Sequence, residues 1–240
     1  MKTGNYSVLF SVISNMAIGL CFVPFLFLIW KKIRHVNTYW VLGIYWLFNG
    51  LVNWPVLQAS GGSHGLISRF SWFYTVTETP MVLLAFAWAN SGKPRRQLLW
   101  VLFGYGLGEC ILIGEKGHTM TSSILISGSG TLLILLYSIT GLIQYVKKME
   151  HTRFENSMVF VYAALLFAYG SDLIIQIFAH YNINGNSSND MDSFLLYYIS
   201  LLLSAIVTST GLWNYGIRRA GKPYRPTPAR RTSGYSSSSS

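Results

Sequence analysis

Acidic residues are scarce in this chain. Its 240 residues include 8 Asp and Glu against 18 Lys and Arg, and charged residues of both signs make up only 11%. Soluble domains carry about 25%, so an ordinary water-facing surface is excluded. Cysteine is nearly missing as well. Cys21 and Cys110 both lie inside apolar runs, which excludes an outer-loop disulfide and leaves them as packing residues. No His, Cys, Asp or Glu residues stand at metal-ligand spacing. The five histidines, His35, His64, His118, His151 and His180, fall in loops or at the ends of apolar runs. Neither a metal nor a cofactor is therefore expected. A serine hydrolase is disfavoured too: there is no Gly-x-Ser-x-Gly elbow, and no His lies beside a Ser within an apolar run.

What the chain has in abundance is apolar length. Hydrophobic residues make up 51%. A membrane-spanning helix needs about 20 mostly apolar residues, and seven runs qualify: 8–30, 39–60, 67–90, 97–115, 122–146, 157–180 and 192–216. The first run is long enough to span, and a basic cluster follows it instead of preceding it, so no cleavable signal peptide is expected. The expected fold is an all-α integral membrane protein, a seven-transmembrane helix bundle. It sits in a plasma, inner or endoplasmic reticulum membrane and has membrane lipid as its first partner.

The positive charge sets the orientation. Fifteen of the 18 basic residues fall on alternate connections. One set holds Lys31, Lys32 and Arg34, then Lys93, Arg95 and Arg96, then Lys147, Lys148 and Arg153, then the tail from Arg218. The other holds Lys2, Arg69 and Lys116. Basic residues near span ends stay cytoplasmic, so the N-terminus is expected outside and the C-terminus inside. Trp30, Trp40, Trp88, Trp100 and Trp213 would mark the inner interface, and Trp54 and Trp72 the outer one. The net charge of +10 then reflects topology and anionic inner-leaflet lipid, with no nucleic acid as partner. Residues 1–217 form the helical domain. Residues 218–240 are a basic Ser- and Pro-rich tail with too little apolar content to fold. It would lie on lipid or meet a cytoplasmic partner. Arg230-Arg231-Thr232-Ser233 could also serve a basophilic kinase. The longest outer connection, His180 to Asp192, includes Asn186-Ser187-Ser188, and the N-terminus has Asn5-Tyr6-Ser7. Both are N-x-S triplets.

Three acids break the apolar spans: Glu78, Glu109 and Asp172. No Lys or Arg lies at their depth. A carboxylate at the membrane centre costs about 2.5–3.5 kcal/mol on insertion scales and marks a functional-site hypothesis. Burial without a base favours the proton-bearing form, which suits a proton donor. At 1.5 Å per residue, Glu78 falls near the midplane and the other two about two turns from the outer end. Asn15, Asn49, Asn53, Thr75, Thr79, Gln176, Ser200, Ser204 and the run Ser122, Ser123, Ser127, Ser129 and Thr131 gather at similar depth. The expectation is a polar cavity in the outer half. Its ligand-binding residues would be Asn49, Asn53, Trp72, Tyr74, Glu78, Glu109, Tyr169, Asp172 and Gln176, with Trp54 among the aromatics lining its apolar part. Interhelical packing is the competing reading for the hydroxyls, and for Gly128 and Gly130.

Several strings resemble the microbial rhodopsin superfamily. Glu78-Thr79-Pro80-Met81-Val82-Leu83-Leu84 is similar to that family's Thr-Thr-Pro segment in the third helix. Gly108-Glu109-Cys110-Ile111-Leu112-Ile113-Gly114 resembles its fourth helix, and Ser127 to Tyr137 its fifth. Ala168-Tyr169-Gly170 stands where the sixth has Ala-Tyr-Pro, and Ser204-Ala205 where the seventh has Ser-Ala before the retinal lysine. The resemblance implies a rhodopsin-like seven-helix bundle with Glu109 lining its pocket. It also marks departures. Ile206 stands at the lysine position, so no Schiff base with retinal can form. The counter-ion positions fall on Tyr74 and Leu202, and the third-helix arginine position on Ser71. A lysine-less, non-retinal-linked member is what these residues imply.

Three functions remain open on the sequence. The first is a sensory or receptor-like protein binding a hydrophobic or amphipathic ligand in the outer-half cavity. The second is a membrane enzyme acting on an isoprenoid. A small seven-span bundle with buried acids also resembles the membrane-bound terpene cyclases. Glu78, Glu109 and Asp172 would be its candidate catalytic proton donors, with aromatic walls steadying a cation. That family's acid-bearing second helix has no counterpart here, since the second span has Asn49 and Asn53 instead. The third is a proton-coupled carrier, which midplane acids fit although no inverted repeat is visible.

Overall fold

A computed structural model describes residues 3–33, 36–58, 64–117, 119–181 and 188–217. The tail from 218, residues 182–187 of the longest connection, Arg34, His35 and His118 lie outside the described residues, as do the side chains of residues 3–7, 55–58, 64–68, 116, 120–121, 178–181, 188–193 and 217. Every described element is a helix: α1 (Thr3–Cys21), α2 (Val23–Trp30), α3 (Asn37–Gln58), α4 (His64–Ala89), α5 (Lys93–Lys116), α6 (Met120–Lys147), α7 (Arg153–Tyr181) and α8 (Ser188–Ile217).

Local chemistry explains the boundaries. The run read as one span over 8–30 is broken at Phe22, where Pro24 stands in the first turn of α2. Proline has no N–H and its ring crowds the carbonyl four residues back. The chain answers with a tighter bond, Phe22 N–H to the Gly19 carbonyl at 3.3 Å. Gly92, at φ +67°, makes the turn between α4 and α5, a conformation costly for residues with a Cβ. Thr119 and Ser122 cap α6 reciprocally. At the start of α7 the Glu155 carboxylate accepts from the Thr152 N–H at 2.7 Å, and the Glu155 N–H reaches the Thr152 hydroxyl at 3.2 Å. Both are capping boxes. Glu155 also pairs with Lys148 at 2.6 Å, so this acid is part of the α6–α7 connection.

Among the described residues, five segments are long and apolar enough to cross a membrane: Val8–Trp30, Lys93–Glu115, Ser122–Lys147, Arg153–Ile177 and Phe194–Gly216. The described parts of helices α3 and α4 are not among them. Their hydropathy is lowered by Tyr39, Trp40, Tyr45, Trp46, Asn49 and Asn53 in α3, and by Trp72, Tyr74, Thr75, Thr77, Glu78 and Thr79 in α4. These two helices thus carry much of the polar set.

The core runs through α3, α4, α7 and α8. Trp46, Tyr39, Phe86, Leu83, Leu165, Ala205 and Leu212 are fully or almost fully buried. Large apolar side chains such as Trp100, Ile111, Leu136 and Phe194 face outward. Such faces suit lipid tails, which are as apolar as leucine, so the helices are held by close packing and hydrogen bonds more than by the hydrophobic effect. The tightest approach is α7 on α8. There the Ser157 hydroxyl donates to the Gly211 carbonyl at 2.7 Å, and the Ser204 hydroxyl to the Ala164 carbonyl at 2.9 Å. Helix α5 lies at the edge, packed mainly on α4.

The basic connections meet at one end of the bundle. Lys31 lies over the Trp213 ring at 4.1 Å. Tyr39 touches Phe154 and Tyr215, with ring centroids 5.5 and 5.0 Å apart. A cleft brings Ala89 and Asn90 beside Lys148 and Glu155. The ends of α2, α4, α6 and α8 and the starts of α3 and α7 therefore share one face.

Candidate functional site

Glu78 stands near the middle of α4. Its carboxylate accepts a hydrogen bond from the Tyr169 hydroxyl of α7 at 2.7 Å, and Tyr74 stands one turn earlier on the same face of α4. Tyr169 is buried, and its hydroxyl also meets that of Tyr45 in α3 at 3.1 Å. From Tyr74 the network returns to α3, where the Asn49 amide donates to the Tyr74 hydroxyl at 2.8 Å. Asn53 donates to the Asn49 side-chain carbonyl at 2.8 Å, and to the Tyr197 hydroxyl of α8 at 3.4 Å. The second of these is longer than the usual N–H to O distance and weak. Four helices are joined through one chain of amides, phenols and a carboxyl.

Asp172 of α7 has its own partners. The Gln176 amide donates to it at 2.6 Å across one helical turn. Gln176 reaches the Ser127 hydroxyl of α6 at 3.4 Å. Glu78 and Asp172 open on a shared cavity of about 130 Å³. Its lining is Tyr45, Asn49, Tyr74, Glu78, Ser127, Ala168, Tyr169, Asp172, Tyr197, Ser200 and Leu201. Only Ala168 and Leu201 are aliphatic, and no Lys, Arg or His lines it. Among the described residues, no three His, Cys, Asp or Glu side chains come together as a metal set.

The structure divides the residues singled out in the sequence. Asn49, Tyr74, Glu78, Tyr169 and Asp172 line the cavity. Asn53 and Gln176 stand behind it and hold Asn49 and Asp172. Trp72 is partly buried on α4 and does not line the cavity, and Trp54 is exposed. Glu109 also stands apart. It is 6% exposed, lies on the edge helix α5, and has Tyr105 one turn back on the same helix face. Its Oε1 has no partner. Tyr105 donates to the Ile126 carbonyl at 2.9 Å and also meets Thr79 and Ser129. Glu109 thus belongs to a second polar cluster between α4, α5 and α6. Thr79 turns toward that cluster and away from Glu78, against the side of Gly130, which acts as the close-packing residue its size suggests. Several other hydroxyls are spent locally. Thr75 bonds to the Ser71 carbonyl, Ser129 to the Leu125 carbonyl, and Ser122 to the α6 cap.

Two polar residues of the cavity were missed at the level of sequence, Tyr45 and Tyr197. Each had a signal. Tyr45, Asn49 and Asn53 recur every four residues, and Tyr197, Ser200 and Ser204 at three and four, so each set shares one helix face. Tyrosine is common at interfaces, which hides such residues. Two larger clefts, about 250 and 360 Å³, open at the basic end around Tyr145, Lys148, Arg153 and Asn156. Neither contains a buried acid from the membrane spans.

No family model, no curated protein and no solved structure matches this chain.

Proposed function

We propose that this chain is a seven-transmembrane, receptor-like membrane protein, N-terminus outside, that binds the polar head of an amphipathic ligand. One observation carries the reading: two acids, four tyrosines and an amide converge from α3, α4, α7 and α8 on one cavity that no base enters. Helices α1 and α2 together count as the first span, and α3 to α8 supply the other six. With the basic end cytoplasmic, the cavity falls toward the opposite face. Polar groups buried in a bundle cost free energy unless they are paired. Glu78 accepts from Tyr169 and Asp172 from Gln176, and both acids line the cavity. A ligand that supplies donors there gains orientation as well as affinity.

Size narrows the ligand. A cavity of about 150 Å³ takes one benzene-sized molecule, so about 130 Å³ suits a head group and not a whole retinoid or isoprenoid. This weighs against the isoprenoid cyclase and against a rhodopsin-type chromophore, for which Ile206 also removes the amine. Tyr169 beside Glu78 would pass or hold a proton equally well in an enzyme, and turnover of the bound ligand would favour that second reading.

Mass spectrometry of small molecules retained by the protein purified in an uncharged detergent tests the proposal. An amphipath near one per chain is expected, falling several-fold in Glu78→Gln and Asp172→Asn. Its absence from the unaltered protein, or equal retention in all three, would sink the idea. Added retinal should give no hydroxylamine-sensitive visible band.

A further inference from the structure

The cavity has a charge preference as well as a size. Of its eleven lining residues, two are acids and none is basic. Glu78 and Asp172 come from different helices, α4 and α7, yet line the same cavity. Acids buried without a base have two ways to avoid an uncompensated charge: they keep their protons, or a cation joins them. The protein supplies no cation here. Among the described residues it supplies no metal set either.

The walls fit one kind of cation. Tyr45, Tyr74, Tyr169 and Tyr197 all border the cavity. Tyr74 stacks on Phe48 with centroids 6.2 Å apart, and hydrogen bonds hold the hydroxyls of Tyr45, Tyr74 and Tyr169. Aromatic rings beside a carboxylate are a recognised setting for alkylated ammonium groups, whose spread charge is attracted by the rings. The volume of about 130 Å³ holds about five or six heavy atoms by comparison with benzene. That is the size of a trimethylammonium group and its first methylene. An anionic head would meet two acids and no base.

We propose that the cavity binds an organic ammonium group, a tertiary or quaternary amine head carried on an amphipath. The assignment rests on the reading of this cavity as the ligand site and adds the sign and chemistry of its occupant.

The test compares choline with 3,3-dimethylbutanol, its neutral carbon isostere, by titration calorimetry on the full chain in an uncharged maltoside. Choline is expected to bind at least tenfold more tightly, about 1.4 kcal/mol. Glu78→Gln and Asp172→Asn should each remove most of that preference and leave the isostere unchanged. If either variant fails to fold, the two ligands on the unaltered protein still decide. Glu109→Gln removes a buried acid that lies outside the cavity, so it should keep the preference. Loss of the preference there would overturn the proposal, because an acid away from the cavity would then set it. Equal binding of choline and its isostere would overturn the ammonium assignment while leaving a head-group site. No binding of either, together with no retained amphipath, would remove both.

Discussion

Tyr169 is the side chain on which the cavity depends most. Its hydroxyl donates to Glu78 at 2.7 Å and meets Tyr45 at 3.1 Å, so one atom ties α7 to α3 and α4. Tyr169→Phe keeps the ring and removes both contacts. It should lower stability by about 1 kcal/mol, the usual net value of such a bond, and within the range for polar contacts between membrane helices. Thermal unfolding in detergent measures it. An unchanged midpoint would mean that the phenol is held by packing alone. Glu109 makes the opposite case. It was grouped with Glu78 and Asp172 because all three are acids at membrane depth, and depth was all that spacing could give. Which way a helix turns its face is decided by its neighbours. Helix α5 turns Glu109 toward Tyr105, where Oε1 finds no partner, and the cavity closes without it.

At the scale of elements, glycine separates packed from open helices. A methyl on Gly211 of α8 would meet the Ser157 carbonyl at 2.9 Å and Phe160 Cβ at 2.8 Å. The first is backbone and cannot move aside. Gly211→Ala should therefore cost about 1–3 kcal/mol, as overpacking does. At Gly104 of α5 nothing lies within 4 Å. Gly104→Ala should be neutral or stabilising by up to about 1 kcal/mol, the difference in helix propensity. Paired unfolding measurements check both, and equal effects would mean that α5 is packed as tightly as α8. The sequence marked these helices by apolar length, and all of them formed. The break at Phe22 was readable in Pro24 and was passed over, because the apolar run continues through it. That α3 and α4 interrupt their apolar runs with amides, phenols and hydroxyls was visible residue by residue. That this follows from their part in a polar cavity was not, since Tyr45 and Tyr197 join the site only when α3 and α8 are brought together.

For the whole molecule, the arrangement of the basic connections is the observation that a membrane would act on. Lys31, Lys148 and Arg153 come to one end through contacts between α2, α7 and α8 and the α4–α5 turn. Ser236→Cys in the tail tests which side that end faces. Membrane-impermeant maleimide should label it only after the cells are opened, provided Cys110 is first replaced by Ser. Labelling of intact cells would reverse the orientation and put the cavity toward the cytoplasm. The chain by itself determined what a one-dimensional pattern can carry: helices from apolar length, a membrane from the scarcity of charge, a shared basic end from alternation, and a set of buried acids from their cost. Only the tertiary structure decided which acids meet. Spacing along a helix fixes the faces that residues share, but not which face each helix turns inward. That choice is made by close packing, such as Gly211 against Ser157 and Gly130 against Thr79, and it brings Glu78 and Asp172 to one cavity and leaves Glu109 outside it.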